Sequence, residues 1–266
     1  MSIRVKGILV FLAVAFGGTW SYLLVARLGF GLSLVNPLVQ LPGAMMPAIA
    51  AVVVRRWVTR EGFADAGLRP RWHWTWLAAW LLPVAVTVLM LAIAAVSGWW
   101  RPGGELGVVV FAMGLAVVCA PLYWGEEFGW TSFLWPRLVP GRPMASMWAT
   151  GLIWAVWHYP LAFLGYTALP DHTVSMGLWT AVFVLYEVML VWLYAKSGTV
   201  WVPTLAHAGN NMVTGLLSEE LLGSVSDRGV LVCTVLALAV VCLPMLRSRV
   251  FRRPFRATAA PAPRLH

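Results

Sequence analysis

Two adjacent glutamates, Glu126 and Glu127, stand near the end of an apolar stretch long enough to span a membrane, and two further such stretches carry His158 and the pair His207 and Asn211. An ionised carboxylate placed in hydrocarbon costs at least about 2.5 kcal/mol, so a chain that puts two carboxylates, two imidazoles and an amide into such segments is expected to use them. The set is sufficient for hydrolysis. A carboxylate can take a proton from water, a histidine can orient that water, and His or Asn donors can stabilise an oxyanion. It also suits a divalent metal, zinc first: Glu126, His158 and His207 would supply three ligands and leave one position open for water. The spacing is not that of the His-Glu-x-x-His enzymes, so any such metal would be assembled from three separate helices.

Local spacing sharpens these expectations. Adjacent residues on a helix point about 100° apart, so only one of the two glutamates can face a given point and the other needs a partner of its own, or a proton. Apolar Phe128, Trp130, Phe133, Leu134 and Trp135 follow the pair before Arg137, which argues against a pair merely solvated at the interface. Trp154 and His158 are four residues apart and share a helical face, as do His207 and Asn211. Glu187 is a further ionisable residue in an apolar stretch, with Phe183 and Val191 at four residues on either side and no evident local partner.

The elements that must position these groups are membrane helices. The chain has 266 residues, 61% hydrophobic and 11% charged, against about 25% charged for an ordinary soluble domain. Eight spans are read at about 8–26, 36–54, 75–97, 107–134, 145–164, 176–195, 200–217 and 230–246, from a need for roughly 20 apolar residues each. The expected fold is therefore all-α, a polytopic transmembrane bundle forming one domain over 1–246. A basic tail over 247–266, Ala- and Pro-rich toward its end, is expected to be disordered. Sixteen of the 19 Lys and Arg fall in segments that lie on one side if the N-terminus is inside, leaving only Arg27, Arg101 and Arg228 on the other. That asymmetry predicts both termini in the cytoplasm, and the cell membrane as the location. The net charge of +9 is spread over short loops and a tail next to spans, so it is read as contact with anionic lipid rather than with nucleic acid. The long connection from Arg55 to Trp74 is expected to be an ordered loop or a short interfacial helix. The three cysteines, Cys119, Cys233 and Cys242, lie in apolar runs with no metal or disulfide spacing.

Read together, the polar segments resemble the CPBP family of intramembrane proteases, the CAAX-type prenyl endopeptidases and bacteriocin-processing or immunity proteins also called the Abi family. The family's motifs are Glu-Glu-x-x-x-Arg, Phe-x-x-x-His and His-x-x-x-Asn/Asp. Here they read Glu126-Glu127 to Thr131, Trp154 to His158, and His207 to Asn211, in the same order. The phrase from Ser197 to Pro203 is also similar, and the eight spans match the family architecture. The resemblance implies that Glu126 activates the attacking water, as a base or through a metal, and that His158 helps hold it. His207 and Asn211 would do the same or stabilise the oxyanion. The substrate would be a membrane-embedded or lipidated, for example prenylated, peptide, and the glutamates' late position in the fourth span would place cleavage toward the cytoplasmic half. Two positions depart from the pattern. Trp154 stands for Phe and keeps an aromatic ring. Thr131 stands for Arg, which would have lain one turn from Glu127 and neutralised it, whereas threonine can only donate a hydrogen bond. Glu127 is therefore expected to be protonated or paired with another helix. The same departure supports an alternative, a catalytically weak member acting as a membrane scaffold or immunity factor. A proton or cation transporter using Glu126, Glu127 and Glu187 is a third reading, weakened by the lack of an inverted repeat.

Overall fold

The computed structural model describes residues 1–101, 107–167, 169 and 172–252. Among them, eight helical rods follow one another with short connections, and no strand is present. They are α1 (Ile3–Gly29), α2 (Pro37–Val58), α3 (Thr75–Val96), α4 (Gly107–Leu138), α5 (Pro143–Phe163), α6 (His172–Ser197), α7 (201–222) and α8 (Asp227–Leu246). Local chemistry sets their starts. The Ser2, Asn36 and Ser226 side chains accept hydrogen bonds from the backbone N–H groups of Val5, Leu38 and Gly229. Pro37 and Pro143 occupy first-turn positions, where the missing N–H costs nothing.

Six of the eight, α1, α2, α3, α4, α6 and α8, are long and apolar enough to cross a membrane. The two that are not, α5 and α7, carry His158 and the His207–Asn211 pair. Their polarity is tolerated because other helices, rather than lipid, enclose their polar faces: on α7 every residue from Val202 to Gly209 is buried. The expected eight spans are thus eight helices, of which the two least apolar hold the polar core.

The helices α1 and α2 form an antiparallel pair, α2 packs on α4, α4 on α7, and α5 on α6, while α8 closes the bundle against α3 and α6. Close approach of α2 and α4 depends on two glycines that bracket the glutamates. A methyl group on Gly125 would come within 2.6 Å of Met45 Cε and 2.8 Å of the Ala44 carbonyl oxygen, and one on Gly129 within 2.3 Å of Pro47 Cβ. This Gly-x-x-x-Gly spacing lets two backbones touch where lipid provides no hydrophobic drive for association.

Helices α4 and α7 widen from i→i+4 to i→i+5 geometry just past Glu127 and His207, over 128–134 and 210–214, the second segment containing Asn211. Such π segments are frequent at functional sites. The connection after α2 forms no helix of its own. It folds back as an ordered loop in which Gly67, at φ +65°, would place a Cβ 3.0 Å from Tyr194 Cε2 and 3.3 Å from the Gly198 carbonyl oxygen, a tight fit in a backbone conformation that favours glycine. Of the tail expected from Arg247, residues 249–251 make a single 3₁₀ turn with Phe251 buried, and positions 253–266 lie outside the described residues. All three cysteines are free.

Candidate functional site

The two glutamates are inside the protein, with Glu126 5% and Glu127 0% exposed, and their divergence on the helix sends them to different partners. Glu126 turns to α5. The indole Nε1–H of Trp154 donates to Glu126 Oε2 at 2.8 Å, and His158 Nε2 lies 3.8 Å from the same oxygen. His158 Nδ1 is 2.9 Å from the Trp154 carbonyl oxygen. A carbonyl only accepts, so Nδ1 carries a proton, and when the ring is neutral Nε2 presents its lone pair toward Glu126. One residue, Trp154, thereby positions both members of the pair: its side chain holds the carboxylate and its backbone fixes the imidazole tautomer.

Glu127 turns to α7. Its Oε1 accepts from His207 Nδ1 at 2.8 Å and its Oε2 from the Thr131 hydroxyl at 2.6 Å. The pairing with another helix expected from the absence of an arginine is present, and threonine supplies the second donor. The His207 ring is packed between Tyr123 and Trp154, with centroids at 4.8 and 5.3 Å. Asn211 is brought near this group but spends its amide locally, donating from Nδ2 to the His207 carbonyl at 3.1 Å, one turn back at the start of the widened segment. Of the five expected site residues, the fold therefore assembles Glu126 with His158 and Glu127 with His207, and Asn211 buttresses the backbone of His207.

A cavity of about 30 Å³ lies against Glu126 and His158, room enough for water. Its other walls include Thr19 from α1, Gln40 and Gly43 from α2, and Leu161 from α5. Thr19 is occupied, donating to the Gly43 carbonyl at 2.9 Å, as is Gln40, whose Nε2 donates to the Leu34 carbonyl at 2.6 Å. Nothing in the spacing of α1 and α2 marked these residues, because their part in the site exists only once the α1–α2 pair has docked on α4.

The donor arrangement can be compared with what a metal needs. Three ligands must converge at about 2.0–2.2 Å on one ion. Among the described residues, no three His, Cys, Asp or Glu side chains gather closely enough to hold one. In their present positions these side chains do not converge on a single ion. Glu187, from α6, is also buried. Its Oε1 has no hydrogen-bond partner among the described residues, its stem packs over Gly151, and Lys196 lies over the Trp192 ring rather than beside it.

Fold and site together define a polytopic helical membrane protein with a buried carboxylate–imidazole centre. Residues 106–213 match the family model of the Rce1-like type II CAAX prenyl endopeptidases. This match agrees with the resemblance to the CPBP proteases, and with six helices apolar enough to cross a membrane it marks an integral membrane protein. No curated protein matches the chain. The matched segment holds Glu126, Glu127, His158, His207 and Asn211, whereas α1 and α2, which supply the facing wall of the cavity, lie outside it.

Proposed function

We propose that the chain is an intramembrane endopeptidase that hydrolyses a peptide bond in a membrane-embedded or lipidated peptide, with water activated by Glu126 and no metal. The observation that carries this reading is the gap between Glu126 Oε2 and His158 Nε2. With His158 neutral, its Nε2 and Glu126 Oε2 are two acceptors 3.8 Å apart beside a cavity with room for water, which can donate a hydrogen to each. Glu126 would take one proton as the water oxygen attacks the scissile carbonyl, then pass it to the leaving amine, so that the carboxylate is restored. His158 would hold the second hydrogen and aim the oxygen. His207, as an imidazolium that donates Nδ1–H to the Glu127 carboxylate, would offer its Nε2–H to the developing oxyanion, with Thr131 and Asn211 fixing Glu127 and the His207 backbone. The Thr131 departure, which in the sequence favours a non-catalytic scaffold, fits catalysis here because threonine provides a donor that Glu127 uses.

The remaining assignments follow the same reading. Both termini are cytoplasmic, the basic loops and tail contact anionic lipid of the cell membrane, and nucleic acid is not a partner. The test is cleavage by purified protein in liposomes of a pool of prenylated and transmembrane peptides, read by mass spectrometry. Defined products that disappear with Glu126→Gln are expected. A folded wild type that cleaves nothing in the pool would overturn the reading in favour of a scaffold or immunity role.

A further inference from the structure

The two ends of the bundle are closed in different ways, and the difference indicates how a substrate reaches Glu126. At the end holding the basic 59–74 loop, the closure is dense. Ser132 donates to the Ala66 carbonyl at 2.8 Å, the Val200 N–H to Gly67 O at 2.9 Å, and the Trp201 indole to Leu68 O at 2.9 Å. Between this loop and the glutamates lie Phe128, Trp130, Phe133 and Leu134, each at most 1% exposed. Arg55 and Arg137 tie Asp65 and Glu61 into one charged lattice over them.

The cavity beside Glu126 approaches the other end. His158 is five residues from Phe163 at that end of α5 and fifteen from Pro143 at the basic end, about 7 Å against about 22 Å along the axis. Gln40 is three residues inside the start of α2. What separates the cavity from that surface is a small apolar cluster detached from the main core, Leu23, Ala26, Leu34 and Leu161, with Leu164 and Tyr166 against it. Its ties are few. Arg27 Nε donates to the Leu164 carbonyl at 3.1 Å, joining α1 to the turn after α5, and this turn bends at Gly165, with φ +84°. Leu28, Phe30, Leu38 and Phe163 form an exposed apolar rim around it.

The geometry points to a substrate route through the seam between the α1–α2 pair and the turn after α5, opened by release of the Arg27–Leu164 tie, with Leu23 and Leu161 receiving an apolar side chain next to the scissile bond. This rests on the endopeptidase reading, and it moves the point of entry. If the basic loop is cytoplasmic, the peptide arrives from the opposite face and not through the cytoplasmic half that the position of the glutamates in α4 suggested.

The route is tested in a background carrying Cys119→Ser, Cys233→Ala and Cys242→Ala, reconstituted in liposomes. Single reporters Ser33→Cys and Glu61→Cys fix which face is which. An impermeant thiol reagent should label Leu161→Cys from the Ser33 face. Labelling from the Glu61 face, or from neither, would overturn the route whether or not the protein cleaves anything. In a second arm, a reducible bis-thiol linker across Arg27→Cys and Leu164→Cys should lower cleavage at least tenfold, with recovery on reduction. The same linker across Glu61→Cys and Arg137→Cys should leave cleavage within about twofold. The reverse pattern would overturn the route. Absence of cleavage before any cross-linking would count against the endopeptidase reading alone, since the labelling arm still decides the route.

Discussion

At the scale of single residues, the centre depends on two positions where this chain departs from the family motifs. Trp154 keeps the aromatic ring of the motif, but its indole N–H also reaches Glu126, a bond phenylalanine cannot make. A hydrogen bond to a charged group contributes about 1.5–3 kcal/mol, so Trp154→Phe should lower kcat by roughly ten- to a hundredfold in the liposome cleavage assay while the protein stays folded. An unchanged kcat would remove Trp154 from the positioning of Glu126. Thr131 is completely buried and one of two donors to Glu127. Thr131→Val should destabilise the protein by about 1–3 kcal/mol, the cost of leaving a buried acceptor short of a donor, read as a lower melting temperature. Thr131→Arg should also lower the melting temperature, because position 131 is fully buried and must take a much larger side chain. The polar set itself was visible from residue types, order and i, i+4 spacing, and so was the need for Glu127 to find a partner. The identity of that partner was not, because His207 is eighty residues away and comes to Glu127 only through the packing of α4 on α7. Nor was the spending of the Asn211 amide on its own helix, since helical spacing shows which side chains share a face but not whether one bends back to a carbonyl.

At the scale of elements, the site is held by how closely α2 can lie against α4. Gly129→Ala would place a methyl group 2.3 Å from Pro47 Cβ and 2.7 Å from its backbone carbonyl carbon, with a ring and a helix backbone that cannot step aside. Overpacking of this kind costs about 1–3 kcal/mol. The expected outcome is a lower melting temperature together with a loss of cleavage larger than the stability change accounts for, because the wall containing Gly43 and Gln40 moves off Glu126. An alanine variant with wild-type stability and activity would show that the contact is not needed. The helices themselves were visible as apolar runs, with ends within a few residues of those observed. Hydrophobicity could not show that α4 and α7 widen to i→i+5 geometry after Glu127 and His207, since that depends on packing around the bend. The low apolarity of α5 and α7 has the same origin as their function: helices enclosed by other helices can carry imidazoles and amides that lipid-facing helices cannot.

At the scale of the whole molecule, one end of the bundle is fastened by charge. Arg55, fully buried, donates to Asp65 Oδ1 at 2.8 Å and to the Gly62 carbonyl at 2.7 Å, and Arg137 reaches Glu61 at 2.8 Å. Burial alone would raise the Asp65 carboxyl, but the Arg55 hydrogen bond, with the charges of Arg55 and Arg137, outweighs it and holds the group below its ordinary value of 3.8. Because the folded value is the lower one, the stabilisation is present above about pH 4 and is lost as the pH falls through the folded value. The melting temperature should therefore drop in acid, and Asp65→Asn should lower it at neutral pH while flattening the acid limb. A parallel drop in the variant would assign the acid sensitivity to other groups. The sequence showed these arginines only as a positive-inside signal, because their acidic partners lie in a loop whose fold back onto α4 leaves no periodic trace. The central claim is that Glu126 activates water without a metal, and it is tested most directly by kcat of the purified protein in liposomes after exhaustive chelation, measured beside Glu126→Gln. The account predicts that the chelated wild type keeps its rate and that the glutamine variant falls by about 10²–10⁴, the usual worth of a positioned general base. A chelated wild type that loses its rate and regains it with zinc, or a glutamine variant that cleaves like the wild type, would contradict it.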